Sequence, residues 1–314
     1  MRESLLINMT EGMIVAPIAL FAYNRPRHTR RTVEALQRNA LAERSDLFIF
    51  SDAPKRPDSA DAVRQVRDYI KTISGFKSIN IVERAQNFGL AKSIIDGATY
   101  LSNQCGRFIV LEDDIVTSPH FLTFMNEALR RYADDDRVIS IHGYVYPVAQ
   151  PLPDAFFLLG ADCWGWATWR RGWALFNPDG RFLLNELKRR KLTRPFDFNG
   201  SYPYTEMLEA QIKGINDSWA VRWYASAFLA NNLTLYPGRS LVLNIGNDNS
   251  GTHCEDSRGF DGLLSDTPIN LDAIKVEPSP MARRSFEEFF GQGKAGLLRR
   301  FLRKVKIVSQ LGRR

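Results

Sequence analysis

The sequence predicts a doubly wound, mainly parallel α/β sheet sandwiched by helices, with a smaller mixed-sheet portion behind it. Three observations predict it. Short apolar runs alternate with helix-period stripes five times between Ile14 and Ile141. The connections between them are short, as in α/β sheets. The runs are rich in Ile, Val, Leu and Phe rather than strictly alternating, as strands buried on both faces are. Right-handed crossovers then make the five strands point the same way.

Each element has its own signal. Ile14–Tyr23 reads as the first strand, with Pro17 near its start. Pro26 suits the first position of a helix running to about Arg38 with Val33 and Leu36 inward. Asp46–Ser51 is the second strand, ending at Asp52, and the Pro- and Asp-rich stretch to Ser59 is a loop. Val63, Val66, Ile70 and Ile73 mark a helix face. Ser78–Glu83 is the third strand, followed by the loop Arg84–Gly89 and a helix carrying Leu90, Ile94, Ala98 and Leu101. Phe108–Leu111 is the fourth strand and runs straight into Glu112, Asp113 and Asp114. A helix follows Ser118-Pro119 to about Arg131, and Val138–Ile141 is the fifth strand. From Pro147 the alternation becomes irregular and tryptophans accumulate. There the sequence suggests helices near Thr205–Ile212 and from Ser218 to about Ala230, then short strands at Leu233–Tyr236 and Leu241–Asn244. The expected organisation is an extension over 1–13, one half of a domain over 14–146, the other half over 147–280, and a tail over 281–314.

Composition narrows the classes. The chain has 314 residues, 44% hydrophobic and 25% charged, which suits one large α/β domain. Its three cysteines are too far apart for a disulfide framework or a zinc set. No run approaches the ~18 apolar residues of a membrane span, and no signal-peptide core is visible, so a cytoplasmic protein is expected. The net charge is +7, yet residues 281–314 hold ten Lys or Arg against two Glu. The preceding residues are therefore nearly neutral, which argues against a nucleic-acid-binding body. In the tail, Leu297, Leu298, Phe301, Leu302, Val305 and Val308 share a helical stripe opposite the bases. A basic amphipathic helix of that kind suits an anionic membrane surface, with docking onto the body or a disordered end as alternatives.

Ligands of open α/β sheets bind outside the C-terminal ends of the strands. Tyr23, Asn24, Arg25, Asp52, the loop Arg84–Gly89 and Glu112–Asp114 should therefore converge although they span ninety residues. Three adjacent carboxylates call for a positive partner, and hard oxygen donors suit Mn²⁺ or Mg²⁺; a solvated acidic turn is the alternative. There is no P-loop and no G-x-G-x-x-G after the first strand. Phosphate would then be met by a metal and scattered groups, with Arg84, Asn87 and Lys92 as candidates. Transfer from a nucleotide-diphosphate sugar has this need: a cation for the diphosphate and a carboxylate base for the acceptor hydroxyl. Trp166, beside Gly165, is a candidate to stack on a sugar.

The strand leading to Glu112-Asp113-Asp114, the opening Phe21–Arg25, the Gly165-Trp166 pair and Asp217-Ser218-Trp219 resemble the GT-A glycosyltransferases. The pattern is most similar to the N-acetylglucosaminyltransferase I family and its bacterial relatives, over roughly residues 14 to 254. The resemblance implies that Asp114 ligates the metal, with Asp113 by the ribose or a metal-bound water and Glu112 by the donor sugar. It implies Tyr23, Asn24, Arg25 and Asp52 around the nucleoside base, Asp217 as catalytic base, and a loop over Leu243–Thr252 that closes on the donor. His253 would reach the metal or diphosphate, as a late histidine does in some GT-A enzymes. Ser218 stands where the family tends to carry a second acid, so the base is assigned on Asp217 alone. The expected activity is metal-dependent, inverting transfer of a hexosyl or N-acetylhexosaminyl group from a UDP-linked donor. The acceptor would be a glycan or lipid-linked glycan of bacterial surface polysaccharide synthesis, reached at the inner face of the membrane. The alternatives are a sugar-phosphate nucleotidyltransferase, which should carry a Gly-rich basic loop after the first strand, and a non-enzymatic carbohydrate-binding protein.

Overall fold

All five expected strands form, and all five point the same way. The computed structural model describes residues 14–246, 248, 262–272 and 274–292. In chain order the first half gives β1 (Ile18–Ala22), α1 (Pro26–Gln37), β2 (Asp46–Ser51), α2 (Ala60–Ile70), β3 (Ser78–Glu83), α3 (Leu90–Cys105), β4 (Arg107–Glu112), β5 (Ile115–Thr117), α4 (Phe121–Arg131) and β6 (Val138–His142). The second half gives β7 (Ala155–Leu159), β8 (Trp166–Trp169), α5 (Arg170–Trp173), α6 (Gly180–Arg189), α7 (Thr193–Phe196), α8 (Tyr204–Ile212), α9 (Trp219–Leu229), β9 (Leu233–Pro237) and β10 (Val242–Asn244). A last helix, α10, covers 280–292.

The main sheet has eight strands in the order β3-β2-β1-β4-β8-β6-β9-β7. β1 pairs in parallel with β2 and β4, and β2 with β3. β8 lies antiparallel to β4 on one side and to β6 on the other, so β4 and β6 share a direction. β9 continues in parallel from β6, and β7 closes the sheet antiparallel. The mixed portion is therefore not appended to the parallel one: β8, from the second half, is inserted between two strands of the first. β5 and β10 form a separate antiparallel ribbon.

Local chemistry explains the elements. β1 is buried along its whole length because it has strands on both edges and helices on both faces. Pro26 opens α1 as expected. The Asp179 carboxylate caps α6 by accepting from the amides of Arg181 and Phe182, and Ser218 Oγ caps α9 by accepting from Val221 N. Side chains of β4 alternate between two cores. Ile109 and Leu111 pack with Leu20, Ile49, Leu122 and Met125 under α1 and α4. Phe108 and Val110 pack on the other face with Phe21, Phe50 and four tryptophans, Trp166, Trp173, Trp219 and Trp223.

The tail expected over 281–314 needs a correction at its start. Ala282, Phe286 and Phe290 of α10 are buried in a third cluster with Phe156, Phe198 and Tyr236. The ring of Phe290 lies 4.7 Å from that of Tyr202, and that of Phe286 lies 4.9 Å from that of Tyr146. Residues up to 292 thus belong to the body, because their apolar face finds an aromatic surface to cover. The stripe from Leu297 onward lies outside the described residues, as do residues 1–13. A chain ending at Gln292 should melt like the full chain. Removing α10 as well should cost about 4 kcal/mol, two buried phenylalanines at about 2 kcal/mol each. Urea denaturation of both truncations checks this, and a loss below about 1 kcal/mol without α10 would contradict its docking.

Candidate functional site at the carboxyl edge of the sheet

The acidic triplet ends β4 in a tight turn that feeds β5. Glu112, by the strand's alternation, projects to the face of Phe108, Val110 and Trp166. Asp113 and Asp114 turn toward β1. The Arg25 guanidinium bridges both: it contacts Asp113 and lies 2.9 Å from Asp114 Oδ2. Tyr23 N donates weakly to Asp113 Oδ2 at 3.4 Å, and Thr32 Oγ1 donates to the Asp113 carbonyl at 2.9 Å. The loops after β1 and β4 are thus tied together, as sheet topology requires.

Charge on this turn is strained. Burial, then the neighbouring Asp114 and Asp113, push the Glu112 carboxyl up to about 8, with Arg25 opposing. Burial pushes Asp113 up to about 6, with Arg25 pulling down and Asp114 adding to the rise. Burial works against the charge of Arg25, but Asp113 and Asp114 more than offset it, so Arg25 ends above the ordinary arginine value. One guanidinium among three carboxylates leaves negative charge in excess.

A divalent cation fits that excess. The donors are hard oxygens, and Mg²⁺ or Mn²⁺ needs only one or two carboxylates when water and phosphate complete its shell. Among the described residues no three His, Cys, Asp or Glu side chains gather into a ready-made cage. The turn is also closely roofed. Ile245 N donates to the Asp114 carbonyl at 2.9 Å. A Cβ on Gly246 would lie 2.2 Å from Asp114 Oδ2 and 2.9 Å from Arg25 Nη1, so any side chain there would have to push Asp114 and Arg25 aside. Asp248, two residues on, pairs with His28 at 3.1 Å. The sequence expects a closing loop over Leu243–Thr252, and its described start sits on Asp114. His253 lies outside the described residues.

Several predicted site residues have other occupations. Asp52 is 5% exposed and its carboxylate accepts from the amides of Ala53, Phe88 and Gly89 and from Asn87 Nδ2. Its acceptor capacity is filled by the chain itself, so it builds the loop rather than contacting a base. Asn87 is spent in the same network and also donates to the Ala53 carbonyl at 2.7 Å. Asp52 is in effect the anion at the N-terminus of α3, where a phosphate was expected. Arg84 is buried, bonded to Ser93 and Asp96 and sandwiched against Phe88 and Phe50. It is structural, not a phosphate ligand. Lys92 remains exposed, its ammonium 4.1 Å from the Phe88 ring centre. Tyr23 braces the next loop: its hydroxyl accepts from Lys55 N at 3.0 Å and meets Ser59 Oγ at 3.1 Å. Asn24 and Arg25 stay at the mouth, half-buried.

Trp166 is corrected outright. It is 0% exposed, and its ring packs 5.5 to 6.1 Å from those of Trp219, Trp173, Trp223 and Phe108. It cannot stack on a sugar. Gly165 does report a close approach, but of protein: a Cβ there would lie 2.8 Å from Val242 Cγ1.

On the acceptor side, Trp219 rests on Trp166, which pairs with Val110 near the end of β4. That sets the N-terminus of α9 at the same edge. Asp217 precedes it with its side chain 71% exposed, 3.5 Å from the Arg222 guanidinium. A second carboxylate is not singled out from sequence. Asp162 sits on the segment 160–165 that returns from β7 to start β8, with its side chain 19% exposed. Cys163 N donates to Asp162 Oδ1 at 2.8 Å and Tyr146 Oη to Oδ2 at 3.5 Å. Burial and Asp162 push the Cys163 thiol well up, and Glu112 and Asp114 add to this, so the segment lies within electrostatic reach of the triplet. The signal that could have found it is its place three residues before the Gly165 turn that enters β8.

No family model and no curated protein matches the sequence. Solved structures give distant likenesses. Staphylococcus aureus TarS is 9% identical over 51% of this chain and 29% of that one, with a TM-score of 0.33. The mannosyltransferase PcManGT from Pyrobaculum calidifontis, solved with GDP-Man and Mn²⁺, is 13% identical over 59% of this chain and 52% of that one, with a TM-score of 0.33. A UDP-glucose pyrophosphorylase solved with UDP-glucose is 14% identical over 55% of this chain and 80% of that one, with a TM-score of 0.28. The chain thus spans about half or less of the first two, and likeness this remote decides neither ligand nor reaction.

Proposed function

We propose that the chain is a GT-A-type glycosyltransferase that takes a sugar from a nucleotide diphosphate, UDP before others, to a glycan hydroxyl with inversion. One observation carries the reading. The buried turn Glu112–Asp114 has more negative charge than Arg25 balances, lies at the ligand edge of the sheet, and is within electrostatic reach of the segment that carries Asp162. A divalent cation held at Asp114 would supply charge for the departing diphosphate. Arg25 holds Asp113 and Asp114 in place, Glu112 faces the donor sugar, and Asn24 and Lys92 flank the mouth where nucleotide and phosphates enter. The short segment after β10 closes over the turn and excludes water. A hexosyl or N-acetylhexosaminyl group, and a surface-polysaccharide acceptor met at the cytoplasmic face of a membrane, complete the proposal. No described helix is long and apolar enough to cross a membrane, and contact would fall to the basic stripe after residue 292.

The test is binding of a panel of UDP-, GDP-, CDP- and dTDP-sugars by calorimetry, with and without Mn²⁺. Cation-dependent binding of at least one nucleotide sugar is expected. Pyrophosphate release from a sugar phosphate and a nucleoside triphosphate would favour the nucleotidyltransferase reading. Glycan binding with no nucleotide binding would favour a carbohydrate-binding protein.

A further inference from the structure

We propose that Asp162 is the group that takes the proton from the acceptor hydroxyl, at the floor of an aromatic subsite for a neutral sugar. The inference rests on the transferase reading and adds to it the residue and surface that handle the acceptor.

The aromatic surround of Asp162 is the first support. Tyr146, Tyr202 and Tyr204 are half-buried and Tyr236 is buried, all four within electrostatic reach of Asp162. The Tyr202 and Tyr204 rings are 4.5 Å apart, and α10 backs the wall through Phe286 and Phe290. Burial first, and Asp162 next, raise the hydroxyls of Tyr146, Tyr202, Tyr204 and Tyr236 above the ordinary tyrosine value. They remain neutral donors. Aromatic faces with neutral hydroxyls around one carboxylate match a polyhydroxylated, uncharged ligand. They do not match a phosphate, which Asp162 would repel.

His142 supplies an independent observation. It is fully buried at the end of β6, and burial holds its pKa down although Asp162 and the Tyr144 backbone pull the other way. Its Nε2 accepts from Trp164 N at 3.1 Å, so the proton of the neutral ring sits on Nδ1. Nδ1 lies 3.9 Å from Asp162 Oδ2, with the Tyr144 backbone also beside the ring. The buried ring thus flanks the carboxylate, and a small approach of Asp162 on ligand binding would bring the two into hydrogen-bond range. His142 is a positioning residue; Asp162 would touch the substrate.

The chemistry balances on these groups. The acceptor O–H proton passes to an Asp162 oxygen, and the oxygen lone pair forms the bond to the anomeric carbon. The bond from that carbon to the diphosphate breaks, and its electron pair leaves on the phosphate oxygen. Asp217 is the competing base, but it is open to water and shares its charge with Arg222.

The experiment uses the full chain, the nucleotide sugar that binds best in the donor panel, and p-nitrophenyl monosaccharides as acceptors. Slow hydrolysis of the donor by water serves as a second turnover readout. Asp162→Asn should keep donor affinity within about twofold and lower kcat by about 10²- to 10⁴-fold, the usual span for loss of a general base. Asp162→Glu should recover part of kcat, since it restores the carboxylate. Tyr202→Ala should raise the acceptor KM and leave the donor Kd unchanged. If Asp162→Asn retains kcat within tenfold, or if Asp217→Asn alone removes turnover, the assignment is wrong while the transferase reading stands. If the unmodified protein binds no nucleotide sugar, the transferase reading fails and the assignment with it.

Discussion

Asp114→Asn is expected to abolish cation-dependent donor binding and to leave the fold intact. The reasoning is electrostatic. Asp114 is the last acid of a turn whose charges exceed what Arg25 balances, and the Gly246 backbone passes directly over its carboxylate. An amide keeps the shape and can still accept from Arg25, but it no longer offers a charged oxygen to a cation. A metal contribution of several kcal/mol corresponds to a turnover loss of about 10²-fold or more. Stability should not fall, because one charge of a crowded acidic turn has gone and Glu112, now raised by its neighbours, can ionise more easily. Calorimetric titration of the chosen nucleotide sugar with Mn²⁺, alongside a thermal melt, reads both effects. Undiminished Mn²⁺-dependent binding by the variant would remove Asp114 from the site.

Asp52→Ala is expected to have the opposite signature, a large loss of stability whatever the ligand. Four donors close on this carboxylate, three of them backbone amides. Each buried group left unsatisfied costs about 1–3 kcal/mol, and water entering the space recovers part of that. A net loss of about 3 kcal/mol follows, a drop in Tm of about 4–6 °C at this chain length. Asp52→Asn should lose less, since its one remaining oxygen can still serve two amides. Urea and thermal unfolding separate the two variants. A loss under about 1 kcal/mol for the alanine variant would mean that the loop at Phe88–Gly89 does not depend on Asp52.

These two aspartates show what the sequence could and could not disclose. Both end a strand at the same edge, and position alone made both candidates for the donor. Periodicity placed β1 to β4, β6 and the helices between them, because those signals are local and repeat with the element. It could not place β8, whose partners β4 and β6 both lie earlier in the chain and flank it only in the sheet, so that its pairing is decided by distant strands. Nor could it separate Asp52 from Asp114, since the difference is whether amides from another loop arrive to fill the carboxylate. Gly165 was legible as a tight spot, but a glycine reports that something comes close without reporting what. Asp162 and His142 went unread for a similar reason. Each is unremarkable within its own stretch, and they meet only because segment 160–165 recrosses the sheet beside the end of β6.

The insertion of β8 has a consequence for biosynthesis. A chain emerging from the ribosome completes β1 to β6 well before Trp166–Trp169 is available. Until then β4 and β6 each present an open hydrogen-bonding edge, and the space between them has no occupant. The amino-terminal part therefore cannot finish folding as it is made, and must be kept from self-association until the later strand arrives. For the same reason no cut near residue 146 yields two pieces that each own a complete sheet. Exchange of donor and acceptor parts between homologous chains would have to carry β8 along with both of its neighbours.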